Sequence, residues 1–210
     1  MTTSPNPTQK PAMVFDFGGV LLDWNPRYLY RQFFGDDEAA MERYLIETDF
    51  DGWNHDLDAG LPFPQGVAEQ CARFPHYCSL IRVYEERYLE TIGGAIQGTV
   101  EILRRLRDAG YPLFGLSNWT TEKFPLVRPD YEFFNWFEDI LISGYLKIAK
   151  PDPRIYQILL QRVTRPAGEC FFIDDRPENV AAALEQGIRA IQFQDPQLLE
   201  AELTRRGLFF

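Results

Sequence analysis

The sequence predicts an α/β protein, a Rossmann-like parallel sheet between helical layers, with a small α-helical domain inserted near its start. Three observations carry this. The short apolar runs Met13–Phe15, Phe114–Leu116 and Phe171–Ile173 each end in a polar group: Asp16, Ser117 and the pair Asp174-Asp175. Runs of this length, bounded by turn signals and alternating with helical stretches, read as strands covered on both faces. Between Asp16 and residue 92 the texture changes to aromatic-rich helical segments without comparable strand runs.

After the first run come helical segments Tyr28–Phe34, Met41–Phe50 and Ser79–Leu89. Gly93-Gly94 and Gly98 mark the return to the sheet, where flexible backbone would serve as a hinge. Val100, Leu103 and Leu106 lie at helical spacing, Gly110 is a stop, and Tyr111–Leu116 is the next run. Pro151 and Pro153 open a helix with the stripe Ile155, Ile158, Leu159 and Val163, followed by the run Cys170–Ile173. A third unit opens at Pro177, carries Val180, Ala181 and Leu184, stops at Gly187 and leads into Ile188–Phe193. The expected division is a core of residues 1–20 and 93–210 around a helical insertion of residues 21–92.

Composition narrows the function classes. In 210 residues, 45% hydrophobic and 15% aromatic, there is ample material for one α/β core plus an insertion. A net charge of -10 without basic clusters argues against nucleic acid or an anionic membrane as partner. No run of 18 or more apolar residues is present, so a membrane span is not expected. Residues 1–11 read as a polar, proline-rich, frayed tail rather than a secretory signal. Cys71, Cys78 and Cys170 are an odd set without metal-ligand spacing, which reads as reduced thiols of a cytoplasmic protein. Nothing in the pattern fixes an oligomeric state, and Leu208-Phe209-Phe210 suits packing on the core or on a partner.

In a parallel sheet, ligands bind beyond the carboxyl ends of the strands. The polar residues after the runs are therefore expected to converge, although Asp16 and Ser117 are far apart in the chain. Asp16 stands just ahead of the pair Gly18-Gly19, whose backbone freedom suits close approach to an anion or metal. Ser117-Asn118 offers a hydroxyl with adjacent backbone and amide donors for phosphoryl oxygens. Lys150 stands ahead of the helix-opening prolines. Asp174-Asp175, after a run as apolar as Phe-Phe-Ile, calls for a cation or donors. Mg²⁺, which relies on one or two carboxylates plus substrate phosphate, is the natural candidate. Asn179 projects back toward that pair one helical turn in. Trp24, Trp53, Phe50 and Phe63 either stack on a substrate ring or form the core of the insertion.

Phe15–Leu21, Leu116–Trp119, Lys150–Tyr156 and Phe172–Asn179 resemble the four motifs of the haloacid dehalogenase superfamily. The nearest likeness is to bacterial sugar-phosphate phosphatases of the α-glucose-1-phosphate type, and the phosphatase domain of soluble epoxide hydrolase is a more distant one. The resemblance implies a helical cap over a Rossmann-like core and a Mg²⁺-dependent phosphatase acting on a small phosphorylated metabolite. Asp16 would be the nucleophile that forms an aspartyl-phosphate. Asp16, the Gly18 carbonyl and Asp175 would ligate Mg²⁺. Ser117, Asn118 and Lys150 would hold the phosphoryl oxygens, with Asp174 and Asn179 behind them.

One departure matters. Most phosphatases of the superfamily carry an acid two positions after the nucleophile, and here that position is Gly18. General acid-base help of that kind is typically worth about 10²- to 10⁴-fold. His55, Asp56 and Asp58 are candidates to replace it, or the leaving group departs unaided. The alternatives are a metal-free 2-haloacid dehalogenase, whose relatives have small hydroxyl residues in place of Asp174-Asp175, and a non-catalytic protein that binds a phosphometabolite. A receiver-type signalling module is set aside by chain order, since its acidic pair follows the first strand.

Overall fold

The computed structural model describes residues 10–208 and 210, so most of the expected N-terminal tail, residues 1–9, lies outside the described residues. The chain opens with β1 (Ala12–Phe15) and a short β2 (Leu22–Trp24). Five helices follow: α1 (Pro26–Phe34), α2 (Glu38–Glu47), α3 (Phe50–Asp58), α4 (Phe63–Arg73) and α5 (Cys78–Glu86). After β3 (Ile92–Ala95) strands and helices alternate: α6 (Gln97–Asp108), β4 (Leu113–Ser117), α7 (Phe124–Val127), β5 (Asp139–Ile142), α8 (Ser143–Leu146) and α9 (Pro153–Val163). The chain finishes with β6 (Cys170–Asp174), α10 (Pro177–Glu185), β7 (Arg189–Gln192) and α11 (Pro196–Arg205).

Five strands form a parallel sheet in the order β5-β4-β1-β6-β7. Alternate residues of β1 enter different cores, as the two-residue period of a strand requires. Met13 and Phe15 pack with Leu103, Leu106 and Leu203 on one face, while Ala12 and Val14 pack with Ile155, Tyr156, Leu159 and Ala183 on the other. Helices α6 and α11 thus cover one side and α9 and α10 the other, which is the three-layer α/β arrangement expected from the runs. The strand register positions the site. Phe15 sits opposite both Gly115 and Ile173, so the ends of β1, β4 and β6 emerge side by side where the strand order reverses.

The structure differs from expectation in several places. The edge strand β5 and the antiparallel β2–β3 ribbon were not anticipated from the apolar runs. Asp49, at φ 48°, turns the chain between α2 and α3 and divides the expected Met41–Phe50 segment. Gly98 is not at a hinge: it lies inside α6, where a Cβ would come within 2.7 Å of Pro196. Helix α10 buries Asn179 and Ala183, not Ala181 and Leu184. Its rotation is set by Asn179, whose backbone carbonyl accepts from Tyr156 and whose amide reaches Asp174.

The thiol expectation is corrected for two of the three cysteines. Cys71 and Cys78 form a disulfide, because the turn from α4 into α5 brings their Cα atoms to 4.5 Å, within the span such a bond needs. Cys170 is free and buried in β6. The aromatic residues of α1–α5 pack on one another in a cluster continuous with the core on one face of the sheet. Phe50 packs edge-on to Tyr30, Trp53 and Tyr84, and Phe63 packs against Trp53 and Tyr88. At the other end of the chain, Leu208 and Phe210 pack on the main core, with the Arg105 guanidinium over the Phe210 ring.

Candidate active site

Beyond the β1, β4 and β6 ends lies a cavity of about 330 Å³. Asp16, Gly18, Ser117, Asn118, Lys150, Asp175 and Asn179 line it from the sheet side, and Asp51, Asn54, His55 and Asp58 line it from α3. The residues singled out by the sequence are thus brought together, with Asp174 directly beneath them.

Asp16 is anchored by its own N–H, which donates to the Ile173 carbonyl at 2.9 Å. Its Oδ1 accepts from the Phe17 N–H at 2.7 Å and lies 3.0 Å from Lys150 Nζ, and the Ser117 hydroxyl beside it favours the charged carboxylate. Lys150 is 1% exposed. Its Nζ is 2.6 Å from Asp174 Oδ2 and donates to the Leu116 carbonyl at 3.0 Å, so all three ammonium protons have acceptors. Asn118 turns away from the role expected of its amide. The amide accepts from the Lys150 N–H at 2.8 Å and donates to the Lys150 carbonyl at 2.9 Å, which clamps the lysine backbone.

Asp174, fully buried, has both oxygens engaged. Oδ1 accepts from the Arg176 N–H at 2.9 Å and Asn179 Nδ2 at 3.0 Å, and Oδ2 accepts from Asn179 Nδ2 at 3.1 Å and from Lys150. Asp175 is left toward the cavity. It presses on Gly19, whose φ of +74° and missing Cβ are both required: a Cβ there would meet Asp175 Oδ2 at 2.5 Å. A glycine at this turn therefore sets where the Asp175 carboxylate lies.

Burial pushes the Asp16 pKa up to about 7, against the pull of Lys150 and with help from the Asp174 and Asp175 charges. Burial and the Asp174 charge also raise Asp175. For Lys150, burial works to lower the pKa, but the Asp16 and Asp174 charges outweigh it and hold the ammonium above its ordinary value. Oxygens of Asp16, Asp174 and Asp175 all lie within 4.8 Å of one another. Three carboxylates answered by one buried lysine leave an excess of negative charge, which a divalent cation would neutralise. The donor set fits such an ion: hard carboxylate oxygens from Asp16 and Asp175, with the Gly18 backbone beside them.

The roof of the cavity was read less completely from the sequence. Of His55, Asp56 and Asp58, His55 and Asp58 line the cavity, and only Asp58 is buried. Asn54, Tyr88, Trp119 and Arg176 also line it and were not expected. Asn54 and Asp58 stand four residues apart on one helix, a spacing that places them on one face and was legible. Trp24 lines the cavity, whereas Phe50, Trp53 and Phe63 belong to the aromatic core.

The family model of haloacid dehalogenase-like hydrolases matches residues 10–187, so the chain belongs to this family and is a hydrolase. It is 26% identical over 192 residues to the sesquiterpene phosphatase of Aspergillus oryzae, covering 88% of this chain and 90% of that one. Over 98 residues it is 29% identical to (S)-2-haloacid dehalogenase 4A of Burkholderia cepacia, 47% of this chain and 42% of the dehalogenase. Its fold is that of a HAD family enzyme from Bacteroides thetaiotaomicron solved in complex with magnesium and inorganic phosphate. The TM-score to that structure is 0.70, with 21% identity over 89% of this chain and 95% of the other. No helix among the described residues is long and apolar enough to cross a membrane.

Proposed function

We propose that the protein is a Mg²⁺-dependent phosphatase that hydrolyses a small phosphomonoester of the sugar-phosphate kind through an aspartyl-phosphate on Asp16. The observation that carries this reading is the buried group of Asp16, Lys150 and Asp174 with Asp175 beside it. That group presents a nucleophilic carboxylate, a fixed ammonium and the Asp175 carboxylate to one cavity, with Asp174 bonded to the ammonium from beneath. A dehalogenase has no use for the excess carboxylate, which would repel a haloacid.

In this reading residues 21–92 act as a cap domain over the core. Asp16 and Asp175, with the Gly18 carbonyl, hold Mg²⁺, which supplies charge neutralisation for the phosphoryl oxygens. Lys150 and Ser117 hold those oxygens, with Asn118 contributing its backbone. Asp174 and Asn179 keep Lys150 in place. Asp16 attacks phosphorus, the bond to the leaving oxygen breaks, and water then hydrolyses the acyl phosphate. His55 in the roof suits a hydroxyl group of a sugar, and the cytoplasm is the compartment that fits such a substrate. The Cys71–Cys78 bond pulls the other way on compartment.

The test is phosphate release from p-nitrophenyl phosphate and a panel of sugar phosphates, with Mg²⁺ and with chelator, for wild type and Asp16→Asn. Metal-dependent release that vanishes in D16N is the expected result. Halide release from a 2-haloacid without metal would replace the reading with that of a dehalogenase.

A further inference from the structure

Of the two carboxyl groups that α3 brings to the cavity, Asp51 and Asp58, only that of Asp58 is buried. Asp58 is the last residue of α3, 9% exposed, and faces Asp16 across the cavity. It is held from two sides. Within the cap, Asn54 Nδ2 donates to its Oδ2 at 3.0 Å, and Tyr84 Oη donates to Asn54 Oδ1 at 2.6 Å, a chain that starts from a fully buried phenol. From the core, Ser143 Oγ donates to the Asp58 carbonyl at 2.5 Å and accepts from the Trp119 N–H at 2.9 Å. With Oδ2 occupied by Asn54, Oδ1 is the oxygen available to a bound leaving group.

We propose that Asp58 is the catalytic acid and base that Gly18 cannot supply, and that the substrates are phosphate esters of alcohols, whose leaving oxygen needs a proton. The inference rests on the phosphatase reading. As Asp16 attacks, the bond from phosphorus to the ester oxygen breaks with its electron pair. That oxygen takes the proton of the Asp58 carboxyl and leaves as a neutral alcohol. The Asp58 carboxylate then accepts a proton from the water that attacks the aspartyl-phosphate, phosphate departs, and Asp16 and Asp58 return to their starting states.

The surroundings favour the protonated starting form. Asp58 faces Asp16, Lys150 and Arg176 from the core and Asn54, Tyr84 and Tyr88 from the cap. Burial, then the Asp16 charge, push its pKa up to about 8, against the smaller effects of Lys150, Asn54 and Arg176. His55 and Asp56, on the same helix, are exposed; Asp56 does not line the cavity, and no hydrogen bond among the described residues fixes the His55 side chain there.

Leaving-group dependence separates this role from a structural one. p-Nitrophenolate departs without protonation, and kcat/KM covers only the steps through its departure. Asp58→Asn should therefore lose about 10²- to 10⁴-fold in kcat/KM on glucose 6-phosphate while remaining near wild type on p-nitrophenyl phosphate. In wild type, kcat/KM for the sugar phosphate should fall as pH rises through the Asp58 pKa, and that limb should be missing with p-nitrophenyl phosphate, a comparison that needs no variant to fold. Equal losses on both substrates, no loss on the sugar phosphate, or the same alkaline limb with both would overturn the role of Asp58 and leave the phosphatase standing. Wild type that releases phosphate from neither substrate with Mg²⁺ would overturn both.

Discussion

Lys150→Met removes the ammonium from between two buried carboxylates and keeps most of the side-chain volume. Asp174 and Lys150 are both essentially inaccessible, and Asp16, although it lines the cavity, is only 7% exposed, so water solvates the pair of carboxylates poorly. Removing one partner of a buried pair costs about 3–5 kcal/mol. For a chain of this size each kcal/mol moves Tm by about 2–4 °C, so the expected loss is about 6–20 °C. The assay is thermal and urea unfolding of the metal-free protein in chelator, across pH. The folded-state Asp16 pKa stands near 7, raised from 3.8, so the folded state keeps a proton that the unfolded chain has released. Stability of metal-free wild type therefore falls as pH rises through that window. Without Lys150 the fall should steepen, and most of the lost stability should return toward pH 4. A K150M protein as stable as wild type at neutral pH, or one whose deficit persists at low pH, would refute the account of the site as buried charges held by one cation.

Gly19→Ala places a methyl group where Asp175 Oδ2 lies and requires a left-handed residue at φ +74°. It should weaken Mg²⁺ binding measured by calorimetry and cost about 1 kcal/mol or more of stability. Glu122 Oε1 accepts the Phe63 N–H at the start of α4 at 3.0 Å. Glu122→Ala should cost about 0.5–2 kcal/mol in urea unfolding, as loss of a helix cap does. Breaking the Cys71–Cys78 bond with reductant should lower stability by about 2.5 kcal/mol in the chain-entropy model for so short a loop. Cys71→Ser should abolish that response to reductant, and equal stability with and without reductant would show the bond to be absent.

How much of the fold and site was legible depends on whether a feature lives in local pattern or in geometry. The runs ending at Asp16, Ser117 and Asp174 were visible because strands buried on both faces are continuously apolar, and a polar stop is conspicuous. β5 was missed because Asp139–Ile142 follows the aromatic stretch Phe133–Phe137, which blurs where an apolar run begins. The rotation of α10 was misjudged because Leu184 looks like a core residue, yet it is 53% exposed. The polar Asn179, not hydrophobicity, decides which face turns inward. Asn118 and Asp174 show the same limit at the site: which atom a side chain engages depends on neighbours more than 30 and 20 residues away. The cysteine pairing depends on the turn between α4 and α5, which no spacing rule revealed.

The helical insert is fastened to the core at helix ends. The C-terminal carbonyl of α3 is held by Ser143, the first N–H of α4 by Glu122, and the Glu85 carbonyl of α5 by Lys123 Nζ at 2.6 Å, with that ammonium also over the Phe63 ring. Two of these three fasteners come from the stretch just after Ser117. Each fastener grips a backbone group of the insert, so a replacement for α1–α5 leaves the largely buried Lys123 and Ser143 paired only if its own helices end at the same places. Any transplant intended to change specificity has to keep the ends of these helices within reach of Glu122, Lys123 and Ser143, a match between stretches of the chain far apart in sequence.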